Sequence, residues 1–375
     1  MKKNSCKAYA LAFAVVLLFS VGCQKSMNNN SPASAKENGA NGPSPKEFKD
    51  FVQVNLVGNN AKYNPRKIDA NLINGWGLDF PATGNIRVAV EGTGKGSFYT
   101  LDGDIAATPI NIPTASTSDG DRSHPTGHTC NGSADFKLAN GNPAQSIFAS
   151  ADGAINGWNS GSTAVRMIDN SPSASYSGVA IANDAGNNYI YAANFRQGRI
   201  DVFDKEWKPV SKPFSDPGMP AGYSPFNVQN VGGKLYVSYA KVDPTTGEEQ
   251  IGNGKGYINV FSSNGALIKR FASGGKLNAP WGMVKAPPTF WGSHSELANM
   301  ILVANFGDGR INIYDESGNY LGQLYSMSKA IEINGLWGIA FPPPSSFNSS
   351  YLYFAAGPNN ETEGLFGYIK NAYLN

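Results

Sequence analysis

Three histidines and three cysteines in 375 residues leave little material for metal or thiol chemistry. Cys6 lies in an N-terminal leader-like segment and Cys23 at its end, so Cys130 is the lone thiol of the remaining chain and can form no internal disulfide. Charged residues make up only 15% of the chain, and no basic run or basic–aromatic interleaving occurs, which excludes an obvious nucleic-acid surface. The formal charge of +2 points nowhere either. Residues 1–23 hold three lysines and no acids; without them 27 basic side chains face 28 acidic ones. There is no Gly-x-Ser-x-Gly elbow, no phosphate-binding loop, no Gly-x-Gly-x-x-Gly after a strand and no Cys-x-x-Cys. The common hydrolase, nucleotide and redox signatures are thus missing, and no motif calls for a cofactor. Past residue 24 no long helical period appears, and no apolar run is long enough to span a membrane.

What the chain has is repetition. Residues 193–204 read Ala-Asn-Phe-Arg-Gln-Gly-Arg-Ile-Asp-Val-Phe-Asp, and residues 304–315 read Ala-Asn-Phe-Gly-Asp-Gly-Arg-Ile-Asn-Ile-Tyr-Asp. The offset of 111 residues is two steps of about 55, within the range of propeller blades. Weaker copies keep the phase. Gly96, Gly153, Gly198, Gly256, Gly309 and Gly364 each precede an alternating apolar stretch, the pattern of a tight turn entering a half-buried strand. A second anchor lies upstream, clearest as Trp76-Gly77-Leu78, Trp281-Gly282-Met283 and Trp337-Gly338-Ile339. The strand after it is taken as the innermost, where glycine lets backbones converge. Six units follow, roughly 72–110, 124–165, 176–215, 224–272, 278–325 and 333–370. The fold class is an all-β, six-bladed β-propeller over 48–375. Its last unit is one strand short. The alternating stretch 51–57 supplies the fourth strand and covers an open edge.

The N-terminus sets the compartment. Lys2, Lys3 and Lys7 precede an apolar run over 8–21, too short to span a membrane and suited to an export signal. It ends Phe19-Ser20-Val21-Gly22-Cys23, a lipobox-like pattern that makes Cys23 the lipidated first residue of the mature chain, an ordinary signal peptide being the alternative. Residues 24–47, rich in Asn, Ser, Pro, Lys and Gly, read as a disordered tether. The expectation is an exported, envelope-anchored monomer whose only membrane contact is its lipid, with secretion as the alternative.

Several long phrases resemble a known family. They are Asn71-Leu72-Ile73-Asn74-Gly75-Trp76-Gly77-Leu78, residues 220–230, residues 270–282, Asn305-Phe306-Gly307-Asp308-Gly309-Arg310-Ile311-Asn312 and Asn334-Gly335-Leu336-Trp337-Gly338. Over residues 51–370 the chain resembles an uncharacterised family of exported bacterial propeller proteins, some with a PEP-CTERM sorting signal. The resemblance implies an extracytoplasmic six-bladed ring of NHL-like type and no established activity. This chain departs from the family in its lipobox-like Cys23 and in His124-Pro-Thr-Gly-His128-Thr-Cys130, where relatives read Ser-Pro-Thr-Gly and apolar residues.

That departure offers His124, His128 and Cys130 as three soft ligands for zinc, against the plainer reading of a turn histidine and two strand residues. A second constellation gathers where second strands end: Glu91, Asn194, Lys241, Asn305 and Asn359, with Asn227 near a first-strand anchor. Oxygen ligands from several blades suit calcium, with Glu91, Asn194 and Asn305 foremost, as in six-bladed lactonases of the gluconolactonase type. Taken singly, these amides serve turn backbone equally well. Trp76, Trp281 and Trp337 are either flat platforms for a ligand or packing between blades. Two functions stay open: a binding or scaffold module for a protein or glycan, and a calcium-dependent lactonase-like hydrolase working at the axis. A plugged or neutral axis favours the first; an acid-lined, ion-holding one favours the second.

Overall fold

Turn glycines set the strand boundaries. The computed structural model describes residues 48–373, apart from 83–84, 117–121 and 293–296. The expected signal, tether and Cys23 anchor lie outside the described residues. Gly198 and Gly309, with φ of +66° and +69°, close the hairpins that open into Arg199–Phe203 and Ile311–Tyr314. Only glycine adopts that conformation without cost. Alternating residues then bury one face of each strand, and the first five repeats each become an antiparallel sheet whose main strands follow chain order.

The innermost strands of blades 1 to 6 are Gly75–Asp79, Pro125–Cys130, Tyr176–Asp184, Tyr223–Val231, Pro280–Lys285 and Leu336–Ala340. Each packs on the next, and the sixth packs on the first, so the six sheets close into a propeller. Glycine makes that convergence feasible. A Cβ on Gly77 would stand 2.6 Å from the His128 nitrogen, and one on Gly338 2.6 Å from the Trp76 carbonyl oxygen. Neither contact leaves room for a side chain. Between adjacent sheets the apolar alternation interdigitates, as where Leu302, Ile313, Leu352 and Phe354 meet between blades 5 and 6. Helix among the described residues is confined to short 3₁₀ turns, and no helix there is long and apolar enough to cross a membrane.

Blade 6 closes as the sequence predicts. Its own strands are Leu336–Ala340, Leu352–Ala356 and Leu365–Asn371. The fourth is Phe51–Gly58, antiparallel to the third, with Phe51 opposite Asn371 and Gly58 opposite Leu365. The fold therefore joins its two ends in one sheet and covers the outer side of the third strand there.

Candidate functional site

The rim where second strands end and inner strands begin carries most of the residues singled out by the sequence. At its centre the axis is filled by aromatic rings. Trp337 lies between Trp76 and Phe306, with centroid separations of 3.5 and 3.9 Å and interplanar angles of 17° and 19°. Trp281 meets both tryptophans edge-on, at 6.1 Å from Trp76 and 5.9 Å from Trp337. Phe226 and Phe195 extend the cluster. Trp337 is wholly buried and Trp281 nearly so. Their indole N–H groups are spent inside the ring, Trp337 on Asn74 Oδ1 at 3.0 Å and Trp281 on the Ser177 carbonyl at 2.9 Å. The three tryptophans thus pack between blades and offer no open platform.

Beside this plug lies a charged cluster drawn from three blades. Glu91 begins the 3₁₀ turn Glu91–Thr93 at the end of a blade 1 strand. Its Oε1 pairs with His124 Nδ1, from the segment entering blade 2. Its Oε2 accepts from Asn74 Nδ2 at 3.0 Å, and the same amide donates to Glu361 Oε2 of blade 6 at 2.9 Å. Asn74 is buried in the left-handed region at φ +51°, a conformation asparagine tolerates well. Arg122 donates to the Gly92 carbonyl within this cluster. Burial pulls the Glu91 carboxyl upward, but the bonds from His124 and Asn74 and the charges of His124 and Arg122 outweigh it, so it titrates below its ordinary value. The bond to Glu91 lifts His124 above its ordinary value against the opposing effect of burial. The imidazole remains 37% exposed.

The other rim amides are spent away from Glu91. Asn194 Oδ1 accepts from the Ser175 and Gln197 N–H groups, and its Nδ2 donates to Asp201 at 2.8 Å. Asn305 accepts from the Asn278 N–H and donates to the Lys276 carbonyl. Asn227 ties blade 4 to blade 5 through the Trp281 carbonyl at 2.9 Å. Asn359, exposed at φ +57°, bonds Thr362 inside its own turn. Lys241 stands opposite Tyr223 on one side and Gln250 on the other. Glu91 is therefore not joined by Asn194 or Asn305, whose oxygens already hold turn backbone.

Nor are the three soft ligands gathered. His124 turns to Glu91, whereas His128 stacks on Phe148 with its centroid 4.7 Å away and bonds Ser146 through Nε2. Burial, aided by Arg87, pushes His128 well below its ordinary value and keeps it neutral. Burial likewise pushes the Cys130 thiol up, far from a thiolate. Among the described residues no group of three or more His, Cys, Asp or Glu side chains is placed to hold a metal ion. At the opposite face the inner strands end around a cavity of about 440 Å³, lined from every blade by residues such as Asp79, His128, Ile181, Gln229, Val284 and Phe341.

Sequence reasoning had Glu91 and His124 in separate constellations and missed Arg122 and Glu361 as their companions. It also missed Phe195 and Phe306 as parts of the plug. The signal for the last two is the Asn-Phe pair repeated at the ends of the second strands of blades 3 and 5.

No family model matches the chain. The uncharacterised protein L690 of Acanthamoeba polyphaga mimivirus is 33% identical over 333 residues, covering 84% of each chain. A structural genomics protein of unknown function from Bacteroides thetaiotaomicron superposes with a TM-score of 0.51 at 8% identity, over 80% of this chain and 70% of that one. Virginiamycin B lyase from Staphylococcus aureus gives 0.48 at 12%, over 85% and 98%. At 8% identity the first of these solved structures speaks to the fold alone.

Proposed function

The chain belongs to the family of mimivirus protein L690, and from that premise and the rim we propose that it is a non-catalytic binding or scaffold propeller, recognising a protein or glycan through its rim loops. The observation that carries this reading is the aromatic plug. Trp76, Trp281, Trp337 and Phe306 seal the axis at the face where the charged cluster lies, so a substrate has no pocket to enter there. Polar recognition at a surface needs no such pocket. Arg122, His124, Glu91 and Glu361 present both signs of charge beside the seal, a pattern that favours selection among partners over chemistry. The basic start, the apolar run over 8–21 and the resemblance to exported bacterial propellers support an envelope address, with Cys23 carrying the lipid.

The test sets binding against turnover. Purified protein is screened against soluble envelope glycans and proteins, and any binder is measured again on Arg122→Ala. In parallel, lactone hydrolysis and calcium calorimetry are run on the wild type and on Glu91→Gln. Binding weakened by Arg122→Ala, with no hydrolysis and no calcium heat, is the expected result. Calcium-dependent turnover lost in Glu91→Gln would overturn it.

A further inference from the structure

Five of the six blades cover the outer side of their third strand from its entry. In each, a backbone N–H from the outer segment reaches the carbonyl of the glycine that leads into that strand. Ile112 bonds Gly94 at 3.0 Å, Asn170 bonds Gly153 at 3.0 Å, Gly274 bonds Gly256 at 2.9 Å, Ile333 bonds Gly309 at 2.9 Å and Asn59 bonds Gly364 at 3.2 Å. Blade 3 departs from this pattern. Its outer strand is only Pro209–Val210, paired with Phe203 and Val202. Among the described residues no backbone group reaches the Gly198 carbonyl, and no strand pairs with the outer side of Ile200.

The cause lies in the next stretch of chain. Pro209, Pro213, Pro217 and Pro220 cannot donate to a ladder. Lys212 is drawn off to Asp184 and the Ser263 carbonyl, and Phe214 packs on Tyr191 and Phe261. A cavity of about 480 Å³ remains beside the bare edge, lined by Arg199, Ile200, Asp201, Gln197, Asn170 and Ser211. An uncovered N–H and carbonyl on a strand edge form a template for another strand.

We propose that blade 3 takes an extended segment of a protein partner to continue its short outer strand, antiparallel to Arg199–Asp201 and abutting Val210. The proposal rests on the binding-module reading and deepens it to a named kind of partner. The ring already accepts such an arrangement, because the outer strand of blade 6 comes from the far end of the chain. Main-chain bonds would supply the affinity and alternate side chains the selectivity.

The other blades specify those side chains. Opposite the position equivalent to Ile200 stand Ile110 (facing Gly96), Ile168 (facing Ile155), Ala272 (facing Ile258) and Val57 (facing Phe366). All four are aliphatic. The neighbouring Arg199 donates through Nε to Asp201 at 2.6 Å yet keeps its side chain 62% exposed, and an acidic residue across from it makes a further favourable cross-strand pair. Antiparallel order then fixes the segment as an aliphatic residue followed by an acidic one.

The probe is acetyl-Thr-Val-Glu-Val-Thr-amide, titrated into the ¹⁵N-labelled full chain. Its first Val falls opposite Ile200, its Glu opposite Arg199, and the N–H of its second Val points at the Gly198 carbonyl. Saturable shifts of the Gly198–Asp201 amides are expected. N-methylation of the second Val should weaken binding about tenfold, roughly one lost backbone bond. N-methylation of the Glu, whose N–H points away, should change it by less than about twofold. Arg199→Glu, at an exposed position, should shift preference to the peptide with Lys in place of Glu. No shift at Ile200 at saturating peptide, or equal binding of both methylated peptides, overturns the proposal. Either failure, with rim binding intact, removes the edge alone; hydrolytic turnover would instead remove the reading it rests on.

Discussion

The pairing of Glu91 with His124 is a contact between blades, and this is why residue spacing did not reveal it. The two are 33 residues apart, and only the packing of blade 1 on blade 2 brings them together. Glu361 arrives from the opposite end of the chain, 287 residues from Asn74, and is legible only once the ring is closed. The pair makes a pH prediction with two limbs. His124 is raised in the fold, so its contribution to stability is fully present below the ordinary histidine value of 6.5 and is lost as pH rises through the raised one. Glu91 is lowered, so its contribution is present above 4.5 and is lost as pH falls through the lowered value. Both hold between 4.5 and 6.5, where the wild type should exceed Glu91→Gln most in denaturant stability. With the imidazole partly in water, the margin stays within about 1 kcal/mol. His124 ring signals followed by NMR should titrate above 6.5 in the wild type and return toward it in Glu91→Gln. Equal titration in both proteins would remove the pair as the cause.

Strands were easier to read than contacts. A turn glycine followed by apolar alternation is a local signal, and it placed the third strand of every blade. Three inner strands were plainly legible through Trp76-Gly77, Trp281-Gly282 and Trp337-Gly338, because convergence at the axis demands small residues there, and the other three kept only the phase. What stayed hidden was the outer strand of blade 3, where prolines stop the ladder after Val210 and no periodicity announces an absence. The strand Phe51–Gly58 tests how much one element contributes. It pairs along the third strand of blade 6 and buries Phe51, Leu56 and Val57. Deleting residues 51–57 uncovers that edge and empties those core positions, which is beyond what a marginally stable domain absorbs. Thermal unfolding of the deletion followed by circular dichroism should lose its cooperative transition. A melting curve unchanged from the full chain would show the strand to be a surface ornament.

For the whole molecule, a single duplicated stretch was enough to set the architecture, because a step of about 55 residues admits few closed all-β arrangements. Function was less legible for the same reason that the fold was more so: repeats constrain packing, and packing consumed the residues that looked chemical. The tryptophans went to the plug, and the amides to turn backbone. The address remains a proposal, read from residues 1–47. If the ring is the binding module proposed above, it acts where its partner is, and tethering matters to it more than to a diffusible enzyme. Cys23 is the one proposed attachment, and residues 24–47 between it and the ring are rich in polar residues. Cys23→Ser should therefore move the protein from the membrane fraction to the soluble extracytoplasmic fraction without altering its melting temperature, since nothing in the ring depends on the lipid. Mass spectrometry of the wild-type N-terminus should find the diacylated cysteine. Retention of the variant in the membrane fraction, together with an unmodified wild-type N-terminus, would rule the anchor out and leave an ordinary secreted propeller.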